Sequence, residues 1–293
     1  MSQTILKNEK VIAVGNFDGV HLGHVKVLKA AVALSKELNC IAAAMTFNPH
    51  PRDFFAGKGS VEKITDEITK TELILQCGIR DHIIEAFNWE FAEMDAEKFA
   101  DYLKNKFNCC AIVCGANFRF GKKAAYGTEE LKKACEKFQM KALICNYEEG
   151  FSSTRIRNLL TEGDVTGAEK LLGRPFSLHG KVLHGRHIGT GIGFPTVNIS
   201  AEKGQVLPKF GVYATRVTCG EEIFKGITNV GSAPTVSENN SNVRTETFLL
   251  NTNKDLYDME IKVEFLKFIR AEKKFNSIEE LKIQIEKDLS EID

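Results

Sequence analysis

The chain reads as two domains, an α/β domain with a doubly wound parallel sheet followed by an antiparallel β-barrel that ends in a helix. Three observations predict this. At 293 residues the chain exceeds the common size of one domain. Its first half alternates short apolar, β-branched runs with segments of helical period, the pattern of βαβ units. From Phe176 onward the texture changes to short β-rich runs set off by glycine turns, as in Gly211-Val212-Tyr213-Ala214-Thr215-Arg216-Val217.

Val11-Ile12-Ala13-Val14 opens the series as a buried strand within 11–15, and Leu22, Val25, Leu28, Val32 and Leu38 suit a helix over 22–38. Further strands are expected at 41–47, 82–87, 110–115 and 141–146, with helices at 66–76, 96–107 and 128–139. Two short helices, 154–160 and 165–172, lead to Gly173-Arg174-Pro175, which sets the domains at 1–173 and 174–293. In the second half, Ile261-Lys262-Val263-Glu264-Phe265 is another clear strand. Ser277 followed by Glu280 is a capping box ahead of Ile278, Leu281, Ile283, Ile285 and Leu289, so a helix closes the chain.

Composition narrows the function. Basic and acidic residues balance at 39 each, which removes any overall pull toward nucleic acid or an anionic membrane and favours small-molecule chemistry. Residues 1–10 lack the apolar core of a signal peptide and no apolar run is long enough to span a bilayer, so a cytoplasmic location is expected. Self-association stays open. The eight cysteines form no Cys-x-x-Cys pairs, and runs such as Cys109-Cys110-Ala111-Ile112-Val113-Cys114 make them core thiols of a reducing compartment.

The richest segment is Gly15-Asn16-Phe17-Asp18-Gly19-Val20-His21-Leu22-Gly23-His24, at the junction of the first strand and helix. Gly15 and Gly19 allow a backbone to approach a ligand, and the unpaired amides of the helix N-terminus attract anions. His21 and His24, three apart, would share one helix face and donate to one phosphate. The decapeptide resembles the His-x-Gly-His signature of nucleotidyltransferases, with Gly15, Phe17, Asp18, Gly19 and Gly23 around the ATP phosphates.

Three later segments fit the same site. Thr46-Phe47-Asn48-Pro49-His50-Pro51 carries a third imidazole on a proline-stiffened loop. Gly115-Ala116-Asn117-Phe118-Arg119-Phe120-Gly121 follows a strand, its aromatic pair able to flank a planar ring. Ser152-Ser153-Thr154-Arg155-Ile156-Arg157 joins hydroxyl caps and a helix start to guanidinium groups that match phosphate oxygens.

In the second half, Thr196 and Asn198 stand two apart on an extended segment, so both side-chain oxygens point one way, either as exposed polar residues of a half-buried strand or as oxygen ligands able to face one Mg²⁺ ion and nucleotide phosphates. Gly185, Gly193 and Pro195 lie in the preceding loop. His184 and His187, in the same loop, have no third ligand and read as solvated. Glu246 shares a strand face with Phe248 and Leu250, as a ladder charge or a general base. Arg270, at a strand end, reads as a surface charge or as a contact to a phosphate.

Taken together these segments resemble the bifunctional bacterial riboflavin kinase and FAD synthetase family over essentially the whole chain. Gly180-Lys181-Val182, Gly189-Thr190-Gly191-Ile192-Gly193-Phe194-Pro195-Thr196-Val197-Asn198, Gly211-Val212-Tyr213, Asn229-Val230-Gly231, Thr245-Glu246 and Phe268-Ile269-Arg270 carry the kinase half of the likeness. The resemblance implies two reactions: riboflavin and ATP give FMN and ADP, then FMN and a second ATP give FAD and pyrophosphate. It implies Glu246 as the base toward the ribityl hydroxyl, and His21, His24 and Arg157 as the groups that position and neutralise the triphosphate. It further implies Asn117, Ser152, Ser153 and Thr154 at ATP, His50, Pro51, Phe118 and Arg270 at flavin, and Mg²⁺ on Thr196 and Asn198. Thr190, Val197, Ala233 and Phe248 depart from the family's usual residues. An adenylyltransferase acting on nicotinamide mononucleotide or phosphopantetheine would leave the second domain unexplained, and a flavin-binding regulator would not need Glu246 beside a cation site.

Overall fold

The computed structural model describes residues 8–146, 150–183, 196–232, 243–250, 252, 254–275 and 277–290. Contacts divide the chain into two units, Met1–Val61 with Glu67–Ser152, and Glu62–Asp66 with Ser153–Asp293.

Five parallel strands form the first unit: β1 (Lys10–Val14), β2 (Ile41–Asn48), β3 (Asp81–Ala86), β4 (Cys109–Gly115) and β5 (Lys141–Cys145). Helices α1 (Leu22–Leu38), α2 (Pro51–Ala56), α3 (Glu67–Gln76), α4 (Trp89–Ala92), α5 (Ala96–Phe107) and α6 (Thr128–Lys137) connect them. The apolar run of β1 is explained by burial on both faces. Val11 and Ala13 share a core with Val27, Leu28 and Ala31 of α1, while Ile12 and Val14 pack with Phe99 and Leu103 of α5.

The sheet order is β3-β2-β1-β4-β5. The chain winds outward from β1 to β3 and then returns to the other side of β1, so the order reverses between β1 and β4. In such sheets ligands bind beyond the carboxyl ends of the two strands at the reversal. The turns that begin at Gly15 and Gly115 therefore flank the place where a ligand is expected. One local expectation is corrected: the loop read over residues 46–51 is instead an extension of β2 to Asn48 followed by α2. Pro51 sits at the start of α2, where its fixed φ suits the first turn and its missing N–H costs nothing.

The second unit holds α7 (Ser153–Glu162), α8 (Val165–Leu172), β6 (Phe176–Lys181), β7 (Thr196–Ile199), β8 (Gly211–Cys219), β9 (Glu222–Ser232), β10 (Val243–Leu249), β11 (Glu260–Arg270) and α9 (Ile278–Leu289). The strands are antiparallel in the order β6-β11-β8-β9-β10-β7. The sheet curls until its two edges meet: the Leu183 amide, just beyond β6, donates to the Asn198 carbonyl of β7 at 2.8 Å. Phe176, Val197, Tyr213, Val230 and Phe265 fill the interior. Three buried hydroxyls run among them, with Thr228 2.8 Å from both Thr215 and Thr247.

Outside the curl, α9 covers β8–β10. Its Ile285 packs on Val212 and Ile227, with Phe248 and Leu289 at the margin. Ser277 caps this helix through the Glu280 amide, as its sequence predicts. Helices α7 and α8, read from sequence as the tail of the first domain, group by contact with the second unit. Their apolar stripe of Ile156, Leu160, Val165, Ala168 and Leu172 is continuous with the barrel core. Ile64 joins that core as well, on a short segment whose Lys63 bonds Gly204 and Val206. None of the described helices is long and apolar enough to cross a membrane.

Candidate functional site

In the first unit the Gly15–His24 turn is a tight structure. Gly19 has φ +80°, but Phe17 and Val20 also stand at φ +50° and +37°, where a β-branched residue is rarely found. The Phe17 carbonyl accepts from the Val20 amide at 3.0 Å and closes the turn. Phe17 does not face a ligand. Its ring is buried in the α1 side of the core, and its edge meets His24 at a centroid distance of 5.4 Å. Its side chain is thereby withdrawn from the surface of the turn.

His21 is not on the helix but just before it. It is the N-cap of α1, its Nδ1 accepting from the His24 amide at 3.2 Å. Accepting there leaves its proton on Nε2 when the ring is neutral. The two imidazoles stack face to face, 3.5 Å apart and 17° from parallel, rather than lying side by side on one helix face as their spacing suggested. Gly23 permits this: a Cβ there would lie 3.1 Å from the His21 ring and 3.2 Å from the Phe151 Cβ. His24 Nδ1 is enclosed without a hydrogen-bond partner among the described residues. Burial, then the neighbouring His21, holds the His24 pKa well below the ordinary 6.5, so the ring is neutral near pH 7.

The other expected residues of this unit are partly reassigned. Asp18 is buried within the turn. His50 is the N-cap of α2, with Nδ1 accepting from the Arg52 amide at 3.2 Å. Asn117 is exposed on the turn after β4, beside the strand-order reversal. Phe118 is half-buried and stacks on Phe120 at 5.4 Å, both rings against the core that holds Phe99. Sequence reasoning did not single out the edge-to-face cluster of Phe54, Phe55, Phe87 and Trp89, in which Trp89 stays 63% exposed. The adjacent Phe54-Phe55 pair was its only local signal.

Ser152 closes the first unit and is exposed, whereas Ser153, Thr154 and Arg157 lie on α7 of the second. The Arg157 guanidinium donates to the Thr154 hydroxyl at 3.3 Å.

In the second unit the strand register assembles a polar row. Asn198 of β7 stands directly opposite Glu246 of β10, which in turn stands opposite Asn229 of β9. Thr196 pairs with Phe248 one step along, so Thr196, Asn198 and Glu246 share the outer face beside α9. Asn198 is 4% exposed, while Thr196 and Glu246 remain partly open. Asn229, quoted among the motifs of the kinase half, was given no site role from sequence. Its amide also reaches Glu272 at 3.4 Å. Gly185, Gly193 and Pro195, along with His184, His187, Thr190 and Ala233, lie outside the described residues. Two departures from the family pattern have structural places: Val197 faces the barrel interior and Phe248 packs toward α9.

Arg270 is engaged by protein. Its Nε lies 3.0 Å from both carboxylate oxygens of Asp288, and a terminal nitrogen is 2.8 Å from one of them. Asp288 is 2% exposed, so removing the guanidinium would strand a buried carboxylate. Arg270→Ala is expected to lower second-unit stability by about 3 kcal/mol in urea unfolding. A loss of riboflavin affinity with unchanged stability would instead show that the arginine serves the ligand.

A glycine–histidine turn at the strand-order reversal of one unit, and an oxygen-rich row with a carboxylate on the barrel of the other, are the features expected of a nucleotide-using transferase. Comparison with known proteins makes the class specific. The FAD synthetase family matches residues 3–155 and the riboflavin kinase family matches residues 172–293. The bifunctional riboflavin kinase/FMN adenylyltransferase of Buchnera aphidicola is 36% identical over 97% of this chain and 93% of its own length. That of Bacillus subtilis is 36% identical over 98% and 93%. Among solved structures, one described as the macrolide-efflux protein from Streptococcus pneumoniae has a TM-score of 0.83 at 28% identity, over 97% of this chain and 94% of that one. The chain belongs to the family of bifunctional riboflavin kinase/FMN adenylyltransferases and carries a domain of each kind.

Proposed function

We propose that the chain carries out both steps of FAD formation, with phosphoryl transfer to riboflavin in residues 174–293 and adenylyl transfer to FMN in residues 1–173. The observation that supports this division is that the stacked histidines lie in the first unit and the Asn198–Glu246–Asn229 row in the second.

In the kinase step Glu246 takes the proton from the terminal ribityl hydroxyl as that oxygen attacks the γ-phosphate of ATP. Asn198, on the facing strand, and Thr196 offer neutral side-chain oxygens of the kind a hard cation takes, and these two would hold Mg²⁺. When bound, Mg²⁺ neutralises charge on the ATP phosphates. Gly185, Gly193 and Pro195 are assigned to the same nucleotide by motif.

Adenylyl transfer needs no base, because the attacking FMN phosphate is already ionised. The task of the protein there is to orient the α-phosphate and stabilise the charge that develops on it. His24, held neutral by its burial, is assigned one hydrogen bond to a phosphate oxygen by motif, and His21, whose Nδ1 is occupied by the His24 amide, offers its Nε2–H for another. Helix α1 adds its N-terminal amides. Gly15, Asp18, Gly19, Gly23 and Asn117 form the surrounding turn, and Ser152, Ser153, Thr154 and Arg157 are assigned to the triphosphate by motif. His50, Pro51 and Phe118 are assigned to flavin on the same basis. Arg270 is kept as a flavin contact only if the stability test above clears it. We place the protein in the cytoplasm, acting on small molecules.

Incubation with riboflavin, ATP and Mg²⁺, followed by chromatography of the flavins, should yield FMN and then FAD, with ADP and pyrophosphate released. Supplying FMN directly isolates the second step. Unchanged riboflavin overturns the kinase assignment, and absence of FAD from FMN overturns the other.

A further inference from the structure

We propose that Glu9, Cys40 and Cys110 form a binding site for a thiophilic divalent cation, zinc or cadmium, at the amino-terminal edge of the parallel sheet. These three residues are far apart in sequence, and the sheet brings them together. Glu9 immediately precedes β1, and Cys40 immediately precedes β2. On the other side of β1, the pairing of β4 jumps from Lys10 opposite Cys109 to Val11 opposite Ala111. Cys110 is therefore the unpaired residue of a bulge, a feature that re-aims a side chain out of the ladder.

The result is a Cys110 Sγ to Cys40 Sγ distance of 3.4 Å and a Cys40 Sγ to Glu9 Oε2 distance of 4.0 Å. One ligand atom from each residue lies within 4.8 Å of the others. Tetrahedral zinc, with bonds of about 2.3 Å to sulfur and about 2.1 Å to oxygen, requires separations of about 3.8 Å between sulfurs and about 3.6 Å from sulfur to oxygen. The two separations at Cys40 each lie about 0.4 Å from those values, and the Glu9 oxygen and Cys110 sulfur lie within 4.8 Å of each other. Cys40 is buried, while Glu9 and Cys110 are half-buried, so two of the three residues are in part open to solvent. Two thiolates select a soft or borderline metal over Mg²⁺.

On binding, each thiol exchanges its S–H bond for a metal–sulfur bond and two protons leave to solvent. In the metal-free chain those thiols point toward the Lys10 and Leu38 carbonyl oxygens. The ion would clip together the beginnings of β1, β2 and β4. It sits a whole strand length, about 16 Å, from the Gly15 turn, so it is a structural tie outside the reaction described above.

Titration of the full chain with Cd²⁺ alone should produce a sulfur-to-cadmium charge-transfer band that saturates at one ion per chain. The band should vanish in Cys40→Ala/Cys110→Ala, and Glu9→Gln should weaken binding at least about tenfold. Zn²⁺ should displace Cd²⁺ and raise the unfolding temperature of the wild-type chain but not of the double variant. A band that persists in the double variant, or equal affinity in Glu9→Gln, overturns the site. Should the variants fail to fold, alkylation of the native chain decides, mapped by mass spectrometry: Cd²⁺ should suppress labelling of Cys110, and undiminished labelling overturns the proposal.

Discussion

Glu246→Gln is expected to lower the turnover of riboflavin to FMN by about 10² to 10⁴, the usual contribution of a general base. Glutamine keeps the size and one acceptor oxygen but cannot take the hydroxyl proton. Because the side chain lies on the outer face of β10, partly open and opposite Asn198, the change creates neither a cavity nor a buried orphan, and the fold should be retained. The loss should therefore appear in kcat, with modest change in the KM for riboflavin. FAD formation from supplied FMN should be unaffected. Near-normal kinase turnover in the variant would make Glu246 a ladder charge and move the search for the base elsewhere.

The second large effect is expected from His24→Ala. Removing one preorganised donor to a developing phosphate charge costs about 10² to 10³ in rate, so FAD formation from FMN should fall by that amount. FMN formation should stay near its wild-type rate. His24→Asn, which retains a side-chain donor, should recover part of the loss. The pH dependence has a definite sign. Since the His24 pKa is depressed below 6.5 in the folded chain, the unfolded chain takes up a proton that the folded chain refuses. The contribution of this residue to stability is full above about pH 6.5 and is lost as the pH falls below it. His24→Ala should remove that part of the acid sensitivity. Equal loss of both reactions in a well-folded variant would refute the division of labour.

Much of the architecture was legible because it depends on local periodicity. The helices at 22–38, 96–107 and 165–172 have the residues expected of them, since each carries a buried stripe at helical spacing and a definite terminus. The apolar β1 run signalled a strand covered on both faces. Less legible were short elements such as α2 and α4, which contribute too few residues for a period to show. The grouping of α7 and α8 was also hidden: their apolar stripes are plain, but a stripe does not name the surface that covers it.

The same distinction holds at the sites. Residue types and order were enough for the phosphate turn, for two oxygen side chains on one face of β7, and for a carboxylate on β10. Register then decided that Asn198 faces Glu246 and that Asn229 completes the row, because strand pairing joins residues with no sequence spacing in common. Packing decided that Phe17 turns into the core behind His24 and that Arg270 spends its guanidinium on Asp288. By itself, then, the sequence determined an α/β part followed by a β part, the glycine–histidine turn and the family. Only the tertiary structure decided the stacking of His21 on His24 and the meeting of Glu9, Cys40 and Cys110, since both depend on a backbone turn or a strand bulge that places side chains against the direction their spacing implies.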